Sequence, residues 1–166
     1  PYSPPGGEEM TDTATEEQID RIERATEDIF NRGDYDAIAD MYAEDVVVHQ
    51  MIMRHVPDPF DYEGREAFED WVRGVRNAFP DFEVTNDDVI VAEDAFVIQY
   101  TASGTHEGKL PGLDVEPTNR EITFRGVSVH RMDGDEVVEA WWYPDQVSVL
   151  AQMGVLPEVA PAAADD

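Results

Sequence analysis

From residue 82 to residue 143 the apolar side chains recur at every second position, in runs over 82–92, 95–106, 121–132 and 136–143. A period of two is that of a half-buried strand, whose side chains alternate between two faces. Glu93-Asp94 separates the first two runs and Asp133-Gly134 the last two; the latter is a strong hairpin signal. The remaining connection, residues 107–120, is longer and carries Pro111, Gly112 and Pro117. Successive strands joined in this way predict an antiparallel meander.

The first half of the chain has a different period. Ile19, Ile22, Ala25, Ile29 and Phe30 recur at helical spacing, and Gly33 is a suitable stop. A short second helix over about 35–42 leads into Val46-Val47-Val48 and His49. Residues 50–63, with Pro57 and Pro59, predict an irregular loop. Phe68, Trp71, Val72, Val75 and Phe79 define a third helix that Pro80 ends, and 147–153 a short last one. Helices first and strands after make an α+β domain. Its sheet has one face to bury, and curling that face around the first helix creates an apolar cavity.

The organisation expected is one domain over 14–156, with a disordered leader over 1–13 and a loose acidic tail over 157–166. Met10 is one candidate for the natural start. Net charge is −27, from 38 Asp and Glu against 11 Lys and Arg, and Lys109 is the single lysine. Carboxylates spread along the whole chain with almost no lysine read as adaptation to a high-salt interior, as in halophiles, where salt screens self-repulsion. The missing basic footprint argues against nucleic acid or an anionic membrane as partner. Absent cysteine excludes thiolate catalysis and Cys-ligated zinc. No apolar run approaches the roughly 20 residues that span a bilayer, so the expected location is the cytoplasm.

One carboxylate stands apart. Asp145 follows Trp141, Trp142 and Tyr143 and precedes the apolar segment 147–153. Residue type alone suggests a helix N-cap. An aromatic setting also suits a general acid/base, and one side chain is able to serve both roles. If Trp141 and Tyr143 share the side of Asp145, alternation puts Glu139 there too, as a second pocket carboxylate or as an exposed charge.

Four segments carry a family likeness: Ala78-Phe79-Pro80-Asp81-Phe82, Ser103-Gly104-Thr105-His106-Glu107-Gly108, Thr123-Phe124-Arg125-Gly126-Val127-Ser128-Val129, and residues 141–154. Together they resemble the SnoaL-like polyketide cyclases, or ester cyclases, of the NTF2-like superfamily, over residues 19–156. The resemblance implies a cone-shaped α+β fold, a deep hydrophobic pocket and homodimers or homotetramers. It also implies ring closure by intramolecular aldol condensation with no cofactor or metal. The family's acid/base aspartate falls on Asp145, and its second polar position on His130 or Arg131.

An aldol closure needs a base at the carbon next to a carbonyl and a donor for the developing oxyanion. Asp145 is the expected base and His130, in parity with Phe124, Gly126 and Ser128, the expected donor. Aromatic walls from Trp141 and Tyr143 suit a small hydrophobic ligand. His49 and His106 either orient a ligand carbonyl at the cavity mouth or are structural. His49 and His55 lie six apart, which matches neither a helical face nor a chelating turn, so no metal site is expected. Two other readings are a non-catalytic binder of a hydrophobic metabolite and the isomerase or epoxide-hydrolase chemistry of the same superfamily.

Overall fold

The computed structural model describes residues 13–50, 60–112 and 114–156. The expected tail, nearly all of the leader and most of the expected 50–63 loop lie outside the described residues. The chain runs α1 (Thr13–Thr26), a π-helical turn (Glu27–Arg32), α2 (Ala37–Met41), β1 (Tyr42–Gln50), β2 (Phe60–Glu63) and α3 (Arg65–Ala78). It continues with β3 (Glu83–Val91), β4 (Ala95–Thr105), β5 (Glu121–Asp133), β6 (Glu136–Pro144) and α4 (Gln146–Met153). The α+β class read from the sequence is the one observed. Its sheet is six-stranded, curved and unclosed, in the order β2-β1-β6-β5-β4-β3.

The apolar stripe of α1 continues through the π turn, whose Ile29 and Phe30 are buried. Gly33 ends the turn with φ 71, a left-handed conformation that glycine adopts without steric cost. Asn31 fastens this turn to the sheet edge. Its Nδ2 donates to the Val84 carbonyl at 3.0 Å, and its Oδ1 accepts from the Val84 N–H at 2.8 Å. One carboxamide thereby satisfies the outward backbone groups of an edge-strand residue that would otherwise be open to pairing. Arg76 of α3 donates to the carbonyls of Phe30 and Asn31, closing the C-terminal end.

The meander β3 to β6 is antiparallel throughout, as expected. Two other pairings differ from the expectation. Residues 60–63, read as loop, form β2 and pair antiparallel with β1. The first strand lies parallel to the last, with His49 opposite Trp141 and Gln50 opposite Trp142. Hairpin signals are local, so a parallel pairing between strands at opposite ends of the domain leaves none in the sequence.

A bulge interrupts the last hairpin. Met132 pairs with Val137, but Arg131 pairs with Glu139, which leaves Val138 as the extra residue. A one-residue shift exchanges the faces of everything beyond it. Ala140, Trp142 and Pro144 therefore share a face with His130, Ser128 and Gly126, and Trp141 and Tyr143 take the other.

The inner face of the sheet supplies Val46, Val48, Phe96, Ile98, Ala140 and Trp142 to the core, packed against Ile22, Ile29, Phe30, Phe68 and Val72. A second cluster, with Phe79, Ile122, Leu150 and Met153, lies under α4. No helix among the described residues is long and apolar enough to cross a membrane.

Candidate functional site

A cavity opens where these two clusters meet. Its volume is about 100 Å³. Phe30, Trp71, Phe79, Phe82, Phe124 and Trp142 give it aromatic walls, and Val75, Leu110, Ile122 and Val149 fill between them. Polar character comes from Gln50, Tyr100 and Gln146. None of the described lining residues is an Asp, Glu, His, Lys or Arg.

The sheet register explains why these side chains converge. Gln50 and Trp142 are partners in the parallel β1·β6 pair and both face inward. Gln50 is 3% exposed and Trp142 8%. Gln50 Nε2 and Trp142 Nε1 are buried donors with no hydrogen-bond partner among the described residues. Tyr100 reaches the cavity from β4 by crossing Gly126, its partner on β5, at a point where a β-carbon would strike its ring. Burial raises the phenol pKa, so Tyr100 stays neutral.

Asp145 itself is not among the cavity's lining residues, although its chain neighbours Pro144 and Gln146 are, at the α4 end. Its carboxylate is exposed, and Oδ1 accepts a hydrogen bond from Ser148 N at 3.0 Å, which makes it the N-cap of α4. The Asp145 N–H donates to the Arg125 carbonyl at 2.8 Å and fixes the strand end. The capping role weighed from residue type is thus present.

His130 lies elsewhere. It pairs with Ala140, five residues before Asp145, or roughly 16 Å along the strand. The two are not brought together. His130 is 1% exposed, stacks on Phe96 with ring centroids 4.3 Å apart, and shares a 2.9 Å hydrogen bond with Ser128 Oγ. Burial pushes its pKa down to about 3, so the imidazole is neutral. It borders a separate void of about 20 Å³, and Trp142 lines both spaces. Arg131, its competitor for the second polar position, is exposed on the outer face, with Nη1 3.4 Å from Glu139 Oε2.

Three of the other candidates gather on that outer face. His49 hydrogen-bonds through Nδ1 to Asp61 Oδ1 at 2.8 Å and through Nε2 to Glu139 Oε1 at 3.0 Å. Its ring stacks on Trp141 at 5.2 Å, and the Arg131 guanidinium lies 5.5 Å from the Trp141 ring. Burial disfavours the His49 charge, but hydrogen bonds and charge from Asp61 and Glu139 outweigh it, so the pKa rises. Tyr143 is 45% exposed on the same face. Glu139 is therefore a partner of His49 and Arg131 rather than a cavity carboxylate.

His106 supports the cavity from behind. It is fully buried beside Phe79, at 5.5 Å between ring centroids. Its Nδ1 accepts from Thr118 N at 3.2 Å, and its backbone exchanges bonds with Arg120 and Asn119. These bonds close the base of the 107–120 connection, which carries Leu110 and Pro111 to the cavity wall. Burial lowers the His106 pKa, opposed by a weaker contribution from the Gly108 backbone.

Sequence reasoning missed Gln50, Tyr100 and Trp142 as lining residues. A signal for Gln50 was present, since it continues the inward parity of Val46 and Val48. Trp142 had none that was local, because the bulge at Val138 sets its face.

A curved, unclosed α+β sheet with helices packed over it around an apolar cavity is an NTF2-like fold. The chain belongs to the SnoaL-like polyketide cyclase family, whose model matches residues 20–153. Solved structures agree on the fold. A SnoaL-like candidate polyketide cyclase from Jannaschia sp. CCS1 aligns with TM-score 0.72 at 18% identity, covering 86% of this chain and 94% of its own. IdmH of Streptomyces antibioticus, a candidate polyketide cyclase, aligns with TM-score 0.65 at 28% identity, covering 82% and 98%. AclR of Streptomyces galilaeus, a candidate hydroxylase, aligns with TM-score 0.69 at 23% identity, covering 87% and 85%. No curated protein matches the chain.

Proposed function

We propose that the protein catalyses proton transfer on a small, flat, apolar carbonyl compound, in the manner of a polyketide cyclase, with Asp145 as acid/base. The observation that carries this reading is the position of Asp145 between two lining residues at one end of an aromatic cavity. The Ser148 N–H holds Oδ1, which leaves Oδ2 to meet the ligand. The carboxylate takes a proton from the carbon beside a ligand carbonyl. The enolate carbon then bonds to a second carbonyl carbon of the same molecule, and the resulting alkoxide recovers the proton from Asp145. Apolar walls exclude water from the enolate.

Asp145→Asn tests the step without removing the cap, because Asn caps a helix as well as Asp does. The assay is exchange of the methyl protons of 2-acetylnaphthalene in deuterium oxide, followed by mass spectrometry. The wild type is expected to accelerate exchange and Asp145→Asn to lose ~100-fold or more of that acceleration. Near wild-type exchange in the variant rejects Asp145 as the base.

The absence of any acidic or basic side chain from the described cavity lining favours a second reading, a non-catalytic carrier of a hydrophobic metabolite. It predicts that 2-acetylnaphthalene binds, that Asp145→Asn leaves the affinity unchanged, and that neither protein accelerates exchange.

A further inference from the structure

We infer that Gln50 and Trp142, side by side on the parallel β1·β6 pair, form a two-donor clamp that holds one oxygen of a carbonyl ligand. This rests on reading the aromatic cavity as the ligand site, and it adds which atom of the ligand is gripped and by what.

Both residues line the cavity, and their backbones are register partners on neighbouring strands, about 4.8 Å apart. Gln50 is 3% exposed and Trp142 8%, so neither donor is solvated from outside. Gln50 Nε2 and Trp142 Nε1 both lack a hydrogen-bond partner among the described residues. A buried donor left unpaired costs more than a typical hydrogen bond returns, so native folds rarely keep two of them on one wall. An indole N–H can only donate. The matching group is therefore an acceptor, and in apolar surroundings a neutral acceptor costs less to desolvate in the resting complex than a full anion does. A carbonyl oxygen meets both conditions.

The surrounding packing fixes the Trp142 half of the clamp. The Trp142 ring is held by Phe30 at 5.2 Å, Trp71 at 5.8 Å and Tyr100 at 5.9 Å between centroids. Gln50 ends a strand whose preceding inward residues, Val46 and Val48, are fully buried. A donor fixed before a ligand arrives favours the state with more negative charge on oxygen, which is the enolate. The clamp thus acts as the oxyanion partner that proton removal at the neighbouring carbon requires. In the described residues that place is not taken by His130, which faces the other void.

The test compares 2-acetylnaphthalene with 2-ethylnaphthalene, which has the same rings and no carbonyl, by titration calorimetry on the wild type, Gln50→Leu and Trp142→Phe. Comparing the ratio of the two affinities cancels the shared apolar contribution. Gln50→Leu is expected to lower the ketone-to-hydrocarbon ratio by about tenfold while hydrocarbon affinity is kept. Trp142→Phe, which retains a ring, is expected to act in the same direction. The carbonyl stretch of the bound ketone should lie at lower frequency in the wild type than in Gln50→Leu.

An unchanged ratio and an unshifted stretch in both variants overturn the clamp but leave the cavity and Asp145 untouched. Failure of both compounds to bind the wild type overturns the clamp together with the ligand-site reading. Loss of exchange in Asp145→Asn with an unchanged ratio supports the proposed function and rejects the clamp. The two ideas are therefore separable.

Discussion

The phenol ring of Tyr100 occupies the space that a β-carbon on Gly126 would need, across the directly paired strands β4 and β5. This contact bends an aromatic ring over the sheet and presents it to the cavity. Glycine in a strand is ordinarily weaker than alanine by ~0.5–1 kcal/mol, so propensity alone would favour Gly126→Ala. The contact reverses that sign. Gly126→Ala is expected to destabilise the fold by about 1–3 kcal/mol in urea denaturation, the usual cost of overpacking. In a Tyr100→Ala background the same change should be neutral or stabilising. An equal cost in both backgrounds would show that the glycine is needed for some other reason.

The pair of carboxylates around His49 predicts how stability depends on pH. The folded pKa lies above the ordinary 6.5, because the hydrogen bonds and charges of Asp61 and Glu139 outweigh burial. Arg131, which also reaches Glu139, is the opposing cation on this face. A raised folded pKa means that the contribution is complete below pH 6.5 and declines as the pH climbs through the folded value. In urea unfolding, the stability difference between wild type and His49→Gln should shrink as the pH climbs from 6.5 through the folded value, whereas the buried neutral His106 and His130 lower total stability only as the pH falls below 6.5. A constant difference would place the dependence on another group.

Net charge gives a third expectation. With 38 acidic against 11 basic residues, the folded chain repels itself, and added salt shortens the reach of that repulsion from about 10 Å at 0.1 M to about 3 Å at 1 M. The melting temperature should therefore rise steadily in potassium chloride up to molar concentration. Chloride is preferable to sulfate, which strengthens apolar burial by a different route. A melting temperature indifferent to potassium chloride would reject the reading of the surface as a salt adaptation.

The four meander strands and the helix stops at Gly33 and Pro80 were legible because each is encoded by neighbours: alternation, a hairpin turn, a residue that breaks a ladder. Parity correctly put His130 with Ser128 and Gly126. It failed one strand later, at Trp141 and Tyr143, because Val138 adds a residue that a two-residue turn does not announce. Counting straight through from Asp133 and Glu136 would set Trp141 opposite Ser128, where the fold has Trp142. The short strand β2 and the β1·β6 pairing escaped for a related reason, since both depend on a partner distant in sequence. Asp145 was the easier case. Its cap could be read from residue type, and the Ser148 N–H on its Oδ1 bears that out.

That β1·β6 pairing also governs when the cavity comes into being. Gln50 belongs to the first strand made and Trp142 to the last, and Phe30 on the opposite wall precedes both. Contacts between such distant segments form slowly, because a long loop must close before any pairing rewards it. During synthesis the meander from β3 to β5 can zip up locally, but the space between Phe30 and the sheet has no floor until β6 slides in beside β1. The cavity is thus among the last features of the molecule to mature, and a nascent chain lacking its final strand does not yet enclose it.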